Sequence, residues 1–299
     1  MLSNEPSRIV GLVGLGLVGT ALAQRLLAAG FTVRGFDLRE EARDTLRSMG
    51  GVAEPGVRDV GAHCGCVVLA VFDTKDVIGV LEGPEALLAP GHVVDTVIDC
   101  STGTPDALQA LAARLEALDI SLIEGPLSGS SQQIAAGEAT QLLGGKAHAI
   151  TASLDVLEAI ANKRIHVGEA GMAAKAKLAT NLVLGLNRAA LAEGMAFAES
   201  LGIAPEAFLA LVLATPARSA AAEIKGPLMA SGNFEPQSRI RQHLKDVNLM
   251  LESARAAGQP LPLSTTHAEL MRRAIAAGDG DLDNAAIIRQ WWRDRTDSH

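Results

Sequence analysis

Apolar runs alternate with amphipathic stretches through the first half of the chain, and only helical periodicity persists in the second. Residues 8–13 (Arg-Ile-Val-Gly-Leu-Val) and 66–72 (Cys-Val-Val-Leu-Ala-Val-Phe) are almost unbroken apolar runs. That is the pattern of parallel strands covered on both faces. Residues 31–37 alternate and predict a second strand, with further short strands expected near 52, at 96–100, 121–124, 141–143 and 165–167. Between them, helical spacing predicts helices over about 18–29 and 40–49, and Thr104-Pro105 marks another helix start with Pro in its first turn. After Gly168 no strand pattern remains. A helix is expected over 171–201, ended by Gly202, then helices over 205–214, 241–257 and 261–277 separated by Gly and Pro. At about 1.5 Å per residue the first of these spans about 45 Å, too long for a simple crossover. The expectation is an α/β domain over 1–168 and an all-helical domain over 169–299, bridged by that long helix.

Composition narrows the function classes. The 299 residues with 48% apolar content support two cores. A formal net charge of −8 with no basic stripe disfavours nucleic-acid binding, which needs clustered Lys and Arg. No apolar run is long enough to cross a bilayer, so no membrane partner is expected. The segment 170–201 is interrupted by Lys175, Lys177, Asn181, Asn187, Arg188 and Glu193. The lead over residues 1–8 is polar and carries no signal-peptide pattern. Cys64, Cys66 and Cys100 form no disulfide framework and no four-ligand metal set. They read as small buried side chains in a reducing compartment, so a cytoplasmic protein with no metal is expected. Tyr is absent, which removes tyrosine as a proton donor.

Gly14-Leu15-Gly16-Leu17-Val18-Gly19 follows the first strand and opens the first helix. The first Gly allows the tight turn, the second lets the backbone approach a pyrophosphate, and the third lets helix and strand pack closely. Free N–H groups at the helix start suit a phosphate. Asp37 closes the second strand, where its carboxylate would accept from the adenosine ribose hydroxyls and repel a 2′-phosphate. This favours NAD. Arg39, two residues on, keeps NADP open because a guanidinium pairs with phosphate. The fold expected is a Rossmann-type doubly wound parallel sheet followed by helices, with a cleft at the C-terminal ends of the strands. Lys177 and Asn181, four residues apart, lie on one helix face. An amine there moves a proton and a carboxamide holds an oxygen.

These blocks, taken in order, resemble the β-hydroxyacid dehydrogenase family over nearly the whole chain. Gly14–Gly19 matches its cofactor loop. Asp99-Cys100-Ser101-Thr102-Gly103-Thr104-Pro105 is similar to its Asp-x-Ser-Thr-x-x-Pro segment near the nicotinamide. Glu124-Gly125-Pro126-Leu127-Ser128-Gly129-Ser130 resembles its substrate segment, and Gly171 through Lys177 to Asn181 resembles its catalytic segment. Lys245-Asp246 matches a C-terminal Lys-Asp pair. Two positions depart from the pattern: Ser130 and Ala173 stand where the family has Gly.

The resemblance implies hydride transfer between a nicotinamide cofactor and a small β-hydroxy acid or its semialdehyde. It implies Lys177 as general acid/base, and Ser128, Gly129, Ser130 and Asn181 as substrate-binding residues for a small carboxylate. It further implies Gly14 to Gly19, Asp37, Val71, Phe72, Thr102, Gly171 and Lys245 as cofactor-binding, and a homodimer or homotetramer. Two other readings use the same fold: an imine reductase, disfavoured because such enzymes usually carry Asp or Tyr at the Lys177 position, and a non-catalytic dinucleotide-binding protein. Lys175 lies about 200° round the helix from Lys177 and reads as a surface lysine. Arg241 shares a helix face with Lys245 and is a further candidate for the carboxylate. The seven histidines read as structural or exposed. A free lysine titrates near ~10.4. Burial beside a positive ring is expected to lower Lys177 and to make oxidation faster toward alkaline pH.

Overall fold

A computed structural model of the chain describes residues 8–296. The polar lead at residues 1–7 and His299 lie outside the described residues. The chain divides into two compact units, Met1–Lys177 and Leu178–His299, so the division falls inside one long helix.

Among the described residues the first unit carries nine strands: β1 Ile9–Val13, β2 Thr32–Phe36, β3 Val52–Ala53, β4 Cys66–Leu69, β5 Thr96–Asp99, β6 Ser121–Glu124, β7 Leu127–Ser128, β8 Thr140–Gly144 and β9 Lys163–Gly168. They form one sheet in the order β3-β2-β1-β4-β5-β6-β8-β7, with β9 beside β8. The run from β3 to β6 is parallel, β8 joins β6 antiparallel, and β9 joins β8 in parallel. Because β1 lies between β2 and β4, the strand order reverses there. In open sheets of this kind ligands sit at such a reversal, beyond the C-terminal ends of the strands, here beyond Val13. The apolar runs explain the centre: Val10, Leu12, Val67, Val68, Leu69, Val97 and Ile98 are fully buried. Two apolar clusters, one on each face, sandwich them. The helix Leu17–Ala28 packs one face through Leu22, Ala23 and Leu26. The helix Pro105–Glu116 packs the other through Leu108, Leu111 and Leu115. Glu40–Ser48 is strongly amphipathic and buries only Leu46.

Two helices of this unit, Val57–His63 and Thr74–Glu82, lie in stretches for which the periodicity predicts no element. The second starts at Asp73, whose carboxylate accepts from the Asp76 N–H at 3.0 Å, an N-cap of ordinary type. Cys64 and Cys100 are buried and Cys66 is partly buried; all three are free thiols. Burial pushes the Cys64 thiol up to about 11 and Cys66 up to about 12, so neither is a nucleophile at neutral pH.

Among the described residues, the second unit contains no strand and is built from the long helix Met172–Ser200 onward. Helices Pro205–Ala214, Ile240–Ala256 and Pro262–Ala276 fall where the spacing predicts them. Ala220–Ser231 is an additional helix. Its sequence holds Gly226 and Pro227 and few large apolar residues, so it shows no clear period. Leu191, Met195, Met229, Val247, Met250 and Met271 belong to the core of this unit. A buried ion pair runs through it: Lys225 Nζ lies 2.8 Å from Asp283, whose carboxylate also accepts from the Gln237, Ser238 and Ala285 N–H groups. Arg188 is buried in the same unit, and burial lowers its guanidinium to about 10. His267, also buried, is pushed down to about 4 by burial and by the Arg188 charge, so it is neutral at physiological pH. Among the described residues no helix is long and apolar enough to cross a membrane.

Candidate active site

The glycine loop is shaped for close backbone approach. Gly14 has φ +90°, and a Cβ there would collide with the Ala70 carbonyl oxygen. A Cβ on Gly19 would collide with the Gly14 carbonyl oxygen. Both positions therefore require glycine. Gly16 differs: the nearest atom to a Cβ there would be Arg39 Nη2 at 4.0 Å, so space lies above it at the start of the helix Leu17–Ala28. Open space at a helix start, where the first N–H groups lack partners within the helix, is the kind of place that suits a phosphate. Leu15 turns into the core while Leu17 is exposed.

Asp37 ties this loop to the end of β2. Its Oδ2 accepts from the Leu15 N–H at 2.7 Å, and its Oδ1 accepts from the Arg39 N–H at 2.9 Å. The Arg39 guanidinium also donates to both oxygens, at 3.0 and 3.1 Å. Partial burial works to raise the Asp37 carboxyl, but the Arg39 and Leu15 hydrogen bonds and the Arg39 charge hold it below the usual carboxylate range. An ionised acceptor thus stands at the end of β2. Arg39, the residue that keeps NADP open, is already paired with it.

The loops after β4 and β5 are joined. The Val71 N–H donates to Ser101 Oγ at 3.1 Å, and the Thr104 N–H donates to Thr74 Oγ1 at 2.7 Å. Phe72 is exposed and Thr102 partly exposed beside them. Gly171, at φ +89°, abuts the start of the helix Pro105–Glu116: a Cβ there would lie 3.2 Å from the Pro105 carbonyl oxygen.

Lys177 is buried, and its ammonium donates to the Leu127 carbonyl oxygen at 2.7 Å. Leu127 immediately precedes Ser128. The structure therefore brings Lys177 to the segment Ser128–Ser130 within one unit, although 50 residues separate Lys177 from Leu127 in sequence. Lys175 is exposed, as the register requires. Glu124, at the end of β6, is buried and accepts from the Gly171 N–H and, at 2.8 Å, from the Ala174 N–H.

Ser130 has a local role. Its Oγ accepts from the Gln133 N–H at 3.3 Å, and its own N–H donates to Gln133 Oε1 at 2.9 Å. This is a capping box for the short helix Ser131–Ala135. The hydroxyl retains its hydrogen for donation, and Ser128 and Gly129 precede it, partly exposed and exposed.

In the second unit, Asn181 is buried and its amide donates to Asp246 Oδ2 at 3.4 Å. Lys245 Nζ lies 3.1 Å from Asp246 Oδ1. Asn181, Lys245 and Asp246 are thus one connected group. Arg241 does not join them: its guanidinium pairs with Asp281 at 3.1 Å on an exposed surface. The shared helix face with Lys245 does not bring it to that group, because Asp281 is nearer. His243 and His267 pack their rings 5.4 Å apart in the same unit, where a side chain on Gly185 would strike His243 Nε2 at 2.5 Å.

Known proteins resemble this chain over nearly its whole length. Residues 9–168 match the NAD-binding domain of 6-phosphogluconate dehydrogenase, and residues 171–291 match the NAD-binding family of NADP-dependent 3-hydroxyisobutyrate dehydrogenase. An L-threonate dehydrogenase of Cupriavidus necator is 33% identical over 95% of this chain and 96% of its own. A 2-(hydroxymethyl)glutarate dehydrogenase of Eubacterium barkeri is 28% identical over 96% of each. A crystal structure of 3-hydroxyisobutyrate dehydrogenase from Salmonella typhimurium superposes with a TM-score of 0.85 at 31% identity, covering 94% of this chain and 99% of that one.

Proposed function

The chain belongs to the β-hydroxyacid dehydrogenase family of NAD(P)-dependent oxidoreductases, and from that premise we propose that it oxidises a small polyhydroxylated acid, with Lys177 as general base. The observation that carries this is the buried Lys177 ammonium held 2.7 Å from the Leu127 carbonyl, beside Ser128. When bound, the nicotinamide supplies hydride acceptance. The chain must then orient the substrate and take one proton. Neutral Lys177 takes the hydroxyl proton during oxidation, and its ammonium returns it during reduction. Ser128, the Gly129 N–H and the Ser130 hydroxyl are suited to a small carboxylate and its neighbouring hydroxyls. Asn181 is assigned to a substrate oxygen.

Residues 1–168 are assigned as the dinucleotide-binding domain, which also carries the substrate residues Ser128–Ser130, and residues 169–299 as the helical domain of substrate binding and assembly, which also carries Lys245. NAD is the preferred cofactor in this reading, because a 2′-phosphate would have to draw Arg39 from Asp37 and sit against that carboxylate. Lys245 is assigned to the cofactor. A homo-oligomer through the helical unit is supported by the exposed apolar side chains Val183, Phe197, Leu201 and Leu211. Three free thiols fit the cytoplasm.

Following the absorbance of reduced nicotinamide over a panel of L-threonate, 3-hydroxyisobutyrate, 2-(hydroxymethyl)glutarate and, in the reductive direction, cyclic imines tests the reading. Turnover of a hydroxy acid, fastest with L-threonate and NAD, is expected. Turnover of imines alone would overturn it.

A further inference from the structure

We infer that Glu124 is a positioning residue for Lys177: its carboxylate locks the first turn of the long helix onto the end of β6, and so sets where the ammonium stands against the Leu127–Ser128 segment. The inference rests on the reading of Lys177 as general acid/base.

The argument starts from the helix end. The first N–H groups of a helix have no partner within it. At the start of Met172–Ser200 the exposed Met172 gives its N–H to the Glu169 carbonyl oxygen, while Gly171 and Ala174 are buried and Glu124 takes theirs: Oε1 accepts from Gly171, and Oε2 accepts from Ala174 at 2.8 Å. Glu124 is 1% exposed, so water cannot replace it. Room for it comes from Gly144, its partner across the sheet, where a Cβ would stand 3.3 Å from Oε2 and 3.0 Å from Ala173. Burial pushes the Glu124 carboxyl up, the nearby Asp99 charge adds to that, and the helix N–H groups pull it back. The helix dipole favours a carboxylate at this end.

Ala174 and Lys177 are three residues apart and share a helix face. Glu124 and Leu127 are likewise three apart on the facing segment. The segment 124–127 is therefore tied to the helix at two points: Glu124 to the first turn, and Leu127 to Lys177 one turn further on. Two ties fix the rotation and advance of the helix, whereas the Lys177 tie alone would let the turn pivot about it. A small displacement of a proton-transfer group costs rate out of proportion to its size.

The experiment compares Glu124→Gln, Glu124→Asp and Lys177→Ala in the full-length protein. Gln keeps the length but turns an NH₂ toward one of the two N–H groups, so one tie is lost. Asp keeps four acceptor sites and the charge but is one methylene shorter. The expected order of kcat for hydroxy-acid oxidation is wild type, then Asp, then Gln, with Gln lower by about tenfold or more. The dissociation constant for NAD is expected to stay within about threefold, since the loss falls on the chemical step. A substrate deuterated at the reacting carbon is expected to show a larger isotope effect on kcat in Glu124→Gln, because hydride transfer becomes the slow step. If Glu124→Gln does not fold, Glu124→Asp carries the same test through kcat and the isotope effect. A lowered melting temperature with kcat and isotope effect unmoved in the folded variants would make Glu124 a stabilising cap only, and would overturn the inference. If Lys177→Ala itself keeps full turnover, the reading of Lys177 fails instead, which separates the two.

Discussion

Lys177→Ala is expected to lower kcat for hydroxy-acid oxidation by about 10²–10⁴-fold, the usual worth of a positioned proton-transfer group. That corresponds to roughly 3–5 kcal/mol of transition-state stabilisation. Cofactor affinity is expected to change little, since the glycine loop and Asp37 lie elsewhere in the unit. Steady-state kinetics with a fluorescence titration of the cofactor checks both halves. Lys175→Ala is the control: that side chain is exposed, and its removal should leave kcat near wild type. An equal fall in both variants would point to a general charge effect rather than to a base at Lys177.

Gly19→Ala is the second large effect. The added methyl would drive into the Gly14 carbonyl, a backbone atom that cannot step aside as a side-chain end can. The loop must open to admit it. Overpacking of this kind costs about 1–3 kcal/mol. NAD affinity is expected to fall by at least about tenfold, with a lowered melting temperature. Gly16→Ala should separate the two consequences. Its methyl meets nothing closer than Arg39 at 4.0 Å, so the fold is kept while the space for the pyrophosphate is reduced. Isothermal titration and thermal melts on both variants test this. Unchanged NAD affinity in Gly19→Ala would remove the loop from the cofactor site.

The sheet was legible because its central strands are buried on both faces and so are apolar without a break, as Cys66–Leu69 shows. The Lys177 register was legible because helical spacing distinguishes a residue from its neighbour two places away. The second strand was readable from alternation, and Asp37 from its place at the end of that strand. Other features were hidden for identifiable reasons. Ala220–Ser231 has a Pro inside it and takes its stability from packing rather than from periodicity. Glu124 opens the segment that carries the family likeness, but its tie to the long helix was hidden because its partners, Gly171 and Ala174, are 47 and 50 residues away. The pairing of Lys225 with Asp283 is hidden for the same reason, at a separation of 58 residues. The capping box at Ser130 was the reverse case: Ser130-Ser131-Gln132-Gln133 carries the Ser-x-x-Gln spacing openly. The family resemblance implies only a substrate contact for that hydroxyl.

The pH dependence of hydride transfer, measured in both directions on the wild-type enzyme under single turnover, tests the role of Lys177 most directly. Oxidation needs the neutral amine and reduction needs the ammonium. The oxidative rate is expected to rise toward alkaline pH and the reductive rate to fall over the same interval, with both trends absent in Lys177→Ala. Rates that stay flat from about pH 6 to 10 in both directions would contradict the account.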